Sequence, residues 1–203
     1  MRVKICGITR IEDAVVAADL GAFAVGFVFW PQSPRCVHVE AARAIADSLP
    51  AAVLKVGVFV DQPIEAIQRI VAGAGLNVVQ LHGSETADVI RAMPRPVFKA
   101  VAVDGTFDVA QLRTLPEDVT VLLDAHDPVR RGGTGRTIDW SLAADAAARR
   151  RVILSGGITP ENIRPAIDAV QPFAVDVSSG VEESPGVKDH SRLRALFDAI
   201  RHD

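Results

Sequence analysis

The sequence predicts a (β/α)8 barrel, and three observations carry that prediction. Short apolar runs alternate with amphipathic runs along the whole chain, and there are eight of each. Strands that alternate with helices pair in parallel through right-handed crossovers. Eight such units in 203 residues fall at the short end of the range for a closed barrel. Finally, no GxGxxG follows the first strand, which weighs against an open doubly wound sheet, the rival α/β architecture. One barrel domain over residues 1–203 is therefore expected.

The strand runs are 2–6, 24–29, 53–60, 77–81, 97–102, 119–124, 152–155 and 173–178. The helical runs are 11–20, 38–48, 63–73, 85–93, 107–115, 140–149, 160–169 and 189–201. In the first strand Val3 and Ile5 alternate with Lys4 and Cys6, so an apolar face opposes one bearing an amine and a thiol. Gly7 ends it, and Thr9 with Glu12 forms a capping-box pattern for the helix that follows. In the third strand Val56, Val58 and Val60 oppose Lys55, Gly57, Phe59 and Asp61. In the fourth Val79 and Leu81 oppose Gln80 and His82; in the fifth Phe98 and Ala100 oppose Lys99. In the sixth Val121 and Leu123 oppose Thr120, Leu122 and Asp124, and in the eighth Phe173, Val175 and Val177 oppose Asp176 and Ser178.

Outward residues of a barrel strand meet helices and should be apolar, so the polar parity is expected to face inward. Several polar residues fall at the C-terminal strand ends, where barrel active sites sit. Lys4, Gln80, Lys99 and Asp176 lie deeper, and either belong to the site or satisfy one another inside the barrel.

Composition narrows the function classes. A net charge of -3 gives no basic footprint for nucleic acid. Cys6 and Cys36 have no paired spacing, which argues against a disulfide framework and fits a reducing, cytoplasmic setting. The five histidines are scattered and form no zinc-type pair, so no metal is expected. No apolar run reaches the roughly 18 residues of a membrane span, and too few apolar residues precede Gly7 for a signal peptide.

Two late turns point to an anion. Ser155-Gly156-Gly157-Ile158-Thr159-Pro160 follows the seventh strand, and Ser178-Ser179-Gly180 follows the eighth. Glycine lets a backbone approach an anion closely, and the loops after strands 7 and 8 are a frequent phosphate site in barrels. The loop from Ala125 to Ile138, with Arg130-Arg131-Gly132-Gly133-Thr134-Gly135-Arg136, is long, basic and glycine-rich, and is expected to act as a lid. After the second strand, Pro31 and Pro34 stiffen a loop that carries Arg35, whose fork suits a carboxylate or a phosphate.

These motifs together resemble the phosphoribosylanthranilate isomerase family of tryptophan biosynthesis. The resemblance is carried by Lys4-Ile5-Cys6-Gly7, Ser33-Pro34-Arg35, Val56-Gly57-Val58-Phe59, Gln80-Leu81-His82-Gly83 and Leu122-Leu123-Asp124. It continues through Gly132-Gly133-Thr134-Gly135 with Asp139-Trp140, Ser155-Gly156-Gly157-Ile158-Thr159-Pro160-Glu161-Asn162, Asp176-Val177-Ser178-Ser179-Gly180-Val181-Glu182 and Pro185-Gly186-Val187-Lys188-Asp189. It spans essentially the whole chain, one motif per strand end.

The resemblance implies an Amadori rearrangement that needs no cofactor, with Cys6 as general base and Asp124 as general acid. It also implies a small phosphorylated substrate: its phosphate on Gly156, Gly157, Ser178, Ser179 and Gly180, its carboxylate on Arg35, and His82 lining the site. A monomer or a homodimer is expected. A free thiol is only a few per cent thiolate at neutral pH, so Cys6 needs nearby positive charge or backbone amides. An exposed aspartate would be ionised, so Asp124 must be desolvated or set near negative charge to hold a proton. Cys36 is expected to be inert. Rival readings are a Schiff-base enzyme using Lys55 or Lys99, a barrel isomerase with a wider range of aminoaldoses, and a non-catalytic phosphate-binding module.

Overall fold

Eight parallel strands close on themselves: β1 (Arg2–Cys6), β2 (Ala24–Val28), β3 (Leu54–Phe59), β4 (Val78–Leu81), β5 (Val97–Val103), β6 (Thr120–Ala125), β7 (Val152–Leu154) and β8 (Ala174–Val177), with β8 pairing back onto β1. The structure is a computed structural model that describes residues 1–125 and 138–201. Between the strands lie α1 (Ile11–Leu20), α2 (Val39–Asp47), α3 (Ile64–Ala74), α4 (Ala87–Arg91), a 3-10 helix (Val109–Thr114), α5 (Trp140–Ala147) and α6 (Ile163–Val170), and α7 (His190–Arg201) closes the described chain. The open-sheet rival is excluded, because an open sheet has two unpaired edges.

Two apolar layers hold the barrel. Inside it, Ala24, Val56, Val78, Phe98, Leu122, Ile153 and Ala174 pack together. Outside it, Val3, Ile5, Val79, Leu81, Val121, Leu123, Val175 and Val177 meet the helices. Leu122 is fully buried in the inner layer, where strands on every side prevent collapse around a cavity. Leu122→Ala is expected to cost about 2–5 kcal/mol, read as a lower midpoint of denaturant unfolding at an unchanged slope.

The inward parity differs from expectation in two strands. Val56 and Val58 face the interior, so Lys55 points out and its Nζ donates to the Pro50 carbonyl at 2.8 Å. Phe98 and Ala100 face in, so Lys99 points out; its Nζ reaches the Gly83 carbonyl at 2.6 Å and Glu85 at 2.9 Å. A lysine stem is apolar enough to lie beneath helices when its ammonium finds oxygens. With both lysines outside, the Schiff-base reading loses its nucleophile.

Local endings also differ. Thr9 does not cap α1: Arg10 holds that position without a side-chain bond, and the Thr9 hydroxyl donates to the Gly186 carbonyl. The fourth helix is shorter than 85–93, because Glu85 is drawn back to accept from the Gly83 and Asp61 amides and from Lys99. The fifth crossover is a 3-10 helix rather than an α-helix over 107–115; Leu115, which precedes Pro116, is extended, as a residue before proline prefers. After β8 come a short 3-10 helix (Ser179–Val181) and an antiparallel pair, β9 (Glu182–Ser184) and β10 (Val187–Lys188), that the strand-and-helix pattern did not predict.

Candidate active site

The C-terminal strand ends open into a cavity of about 650 Å³, the size of a small-molecule pocket. Cys6 at the end of β1, Asp124 near the end of β6, Arg35 after β2, His82 after β4, and Ser178 and Ser179 after β8 all line it. The fold thus brings together side chains spread over most of the sequence. Gly156, Gly157 and Gly180 lie in the turns behind that lining. The expected lid, including Arg130 and Arg136, lies in residues 126–137, outside the described residues.

Asp124 is buried and doubly engaged. Its Oδ1 accepts from the Ala125 amide at 2.9 Å, and its Oδ2 lies 3.2 Å from His82 Nε2. Gln80 Nε2 lies 3.0 Å from His82 Nδ1. With the amide donating there, Nδ1 is the acceptor and Nε2 carries the hydrogen that points at Asp124. His82 is therefore more than a lining residue: it fixes the direction of the carboxylate. Gln80, fully buried on the inner face of β4, fixes His82 in turn.

Cys6 is also buried, beside Val28, Val58 and Trp30. Burial pushes its thiol above the ordinary cysteine range; the Lys4 ammonium pulls it down, Asp176 pushes it further up, and Lys188 pulls it down. Lys188 itself is held by burial below the usual lysine range, against the opposing pull of Glu182. Its Nζ donates to the Cys6 carbonyl at 2.6 Å and to Glu182 at 2.7 Å.

Arg35 is held by the same network. Its Nε and Nη2 form a fork on the Glu182 carboxylate at 2.9 and 2.6 Å. Burial raises the pKa of Glu182, but Arg35 and Lys188 outweigh it and hold the carboxylate below its usual range. Nη1 of Arg35 donates to none of the described residues and remains available to a ligand. A reading by motif gives Glu182 and Lys188 no role, and it leaves Gln80 open between the site and a satisfied interior. Their signal is tertiary: an unpredicted hairpin brings Glu182 and Lys188 under the second loop.

The two glycine turns meet. A Cβ built on Gly180 would lie 1.9 Å from the Ile158 carbonyl oxygen, so only glycine allows this approach. Gly156 has φ +87°, and its absent Cβ would lie 2.8 Å from the Ala125 nitrogen. Asn162 Nδ2 holds the Gly157 carbonyl at 2.8 Å, and Arg192 Nε holds the Gly180 carbonyl at 2.9 Å. The Gly156 and Gly157 amides donate to no described backbone acceptor. Such an arrangement, with carbonyls tied back and amides unused, suits an anion.

No group of acidic, histidine or cysteine side chains that could hold a metal ion occurs among the described residues. None of the described helices is long and apolar enough to cross a membrane. A closed barrel with a buried thiol and a buried carboxylate facing one small-molecule cavity defines a (β/α)8-barrel enzyme. The family follows from comparison with known proteins: the model of the N-(5'-phosphoribosyl)anthranilate (PRA) isomerase family matches residues 3–199, and the chain belongs to that family. It is 48% identical over 200 residues to the N-(5'-phosphoribosyl)anthranilate isomerase of Thermotoga maritima, with 97% of each chain covered. It superimposes on the phosphoribosyl anthranilate isomerase of Thermus thermophilus with a TM-score of 0.91, at 46% identity and with 98% of each chain covered. A further solved isomerase is bound to reduced 1-(o-carboxyphenylamino)-1-deoxyribulose 5-phosphate; it has a TM-score of 0.87 and 44% identity, with 98% of this chain and 97% of that one covered.

Proposed function

We propose that this chain converts N-(5-phosphoribosyl)anthranilate to 1-(2-carboxyphenylamino)-1-deoxyribulose 5-phosphate by an Amadori rearrangement, with Asp124 as general acid and Cys6 as general base. The observation that carries this reading is the opening of both groups into one cavity beside the paired glycine turns. Asp124 protonates the ribose ring oxygen, and the ring opens to an iminium. The Cys6 thiolate then removes the C2 proton, and the electron pair passes into the iminium to give an enolamine. The enolamine loses its C2 hydroxyl proton and gains one at C1, which leaves the ketone. The iminium serves as the electron sink, so the route requires no cofactor.

The remaining groups take the ends of the substrate. The phosphate lies on the amides of Gly156 and Gly157 and on Ser178, Ser179 and Gly180. The anthranilate carboxylate takes Nη1 of Arg35, whose other nitrogens are fixed by Glu182. The aromatic ring lies along Trp30, Val28 and Val58. A ligand of this shape is the one bound to the solved relative.

Arg35→Ala is expected to raise KM about ten- to a hundredfold with little change in turnover, since a hydrogen bond to a charged group contributes roughly 1.5–3 kcal/mol. Steady-state kinetics over a substrate range check this, and the melting temperature should fall, because the buried Glu182 carboxylate keeps only Lys188 as a cationic partner. Growth rescue of a tryptophan auxotroph that lacks this step tests the reading as a whole. Failure of rescue by well-expressed protein would overturn it.

A further inference from the structure

Lys4 is fully buried within the barrel, next to an inner layer of alanine, valine, leucine, isoleucine and phenylalanine. Its Nζ donates to Asp176 Oδ1 at 2.8 Å, and the two residues are partners in register between β1 and β8. A buried ion pair is weak evidence for stability, because apolar residues of similar volume often serve as well. Such a pair in an apolar layer calls for another reason.

That reason lies on the other side of the ammonium. Cys6 is in register with Gly26 of β2. A Cβ built on Gly26 would lie 2.9 Å from Cys6 Sγ and 3.1 Å from Lys4 Nζ. The sulfur and the ammonium therefore share the space that Gly26 leaves open. An ammonium has three hydrogens, and among the described residues Asp176 carries the one oxygen to which Lys4 donates. Burial alone would lower the Lys4 pKa, but Asp176 and, after it, Cys6 outweigh it and hold the ammonium above the usual lysine range. Lys4 does not line the cavity, whereas Cys6 and Asp176 do.

We propose that Lys4, clamped by Asp176, is the fixed counter-charge of the Cys6 thiolate, a positioning residue that acts through the base without touching substrate. The proposal rests on the reading of Cys6 as the base. The other charged groups around Cys6 are Lys188, which donates to its carbonyl, and the Arg35–Glu182 pair beyond it.

The test is the pH dependence of Cys6 alkylation by iodoacetamide in a Cys36→Ser background, read together with the pH profile of turnover. Lys4→Met leaves Asp176 without its partner, so Lys4→Met/Asp176→Asn is made beside it to remove both charges. Gly26→Ala keeps both charges but fills the shared space. Lys4→Met is expected to alkylate at least about tenfold more slowly at a fixed pH below the thiol's titration, because an opposite charge nearby shifts a pKa by about one unit or more. Gly26→Ala is expected to slow it as well, and the double variant less than Lys4→Met, since removing Asp176 also removes a charge that pushes the thiol up. The rising limb of turnover should move to higher pH by the same amount. An unmoved alkylation profile in Lys4→Met and in Gly26→Ala, with Cys6→Ser still inactive, overturns the role of Lys4 and leaves the base assignment standing. If alkylation moves but the turnover limb does not, Lys4 is the counter-charge and Cys6 is not the base.

Discussion

Cys6→Ser is expected to lower turnover by about two to four orders of magnitude, the usual contribution of general base catalysis, while KM stays close to that of the parent. Serine fits where the thiol fits, so the barrel is not disturbed. A hydroxyl, however, is far too weak an acid to be ionised beside Lys4, and the C2 proton then has no acceptor. The groups proposed to bind the substrate, Arg35 and the glycine turns, follow other strands and keep their own partners. Single-turnover kinetics check this directly: binding should persist while the chemical step nearly vanishes. Turnover close to that of the parent would reject Cys6 as the base.

Asp124→Asn should produce a loss of similar size for a different reason. The amide is nearly isosteric, and its oxygen can still accept from the Ala125 amide or from His82 Nε2, which keeps the geometry of the β6 end. It has no proton acidic enough to give to the ring oxygen, so the ring stays closed. Titration with the reduced ribulose product, the ligand bound in the solved relative, separates chemistry from recognition. Affinity near that of the parent is expected; affinity lost together with turnover would make Asp124 a binding residue.

The sequence made the architecture legible because strand parity is a local property. Val3 and Ile5 against Lys4 and Cys6 could be read without neighbours, and β1, β4, β6 and β8 face as the pattern implies. The pattern misled in β3 and β5, where Lys55 and Lys99 satisfy their ammonium groups among carbonyls outside the barrel. A polar residue on a strand marks the inside only if the outside offers it no partner, and the partners here come from Pro50 and Gly83.

The candidate site was legible to the same extent. Cys6, Asp124, Arg35, His82, Ser178 and Ser179 meet in one cavity as their strand-end positions suggested. Of the groups that set their charge and direction, Gln80 was legible as an inward polar residue but not as the partner of His82, and Glu182 and Lys188 were not legible. Gln80 behind His82 and Lys188 behind Glu182 are joined to the site by contacts across the barrel and across an unpredicted hairpin, and no spacing in the sequence encodes those contacts.

The central claim is the isomerisation itself, carried by the thiol on β1 and the carboxylate on β6. Its most direct test is conversion of phosphoribosylanthranilate to the ribulose product by purified protein without added cofactor, with the two compounds separated by chromatography and with Cys6→Ser and Asp124→Asn assayed in parallel. Conversion by the parent chain and near-absence of product from both variants is the predicted result. No conversion by the parent, or undiminished conversion by either variant, would contradict it.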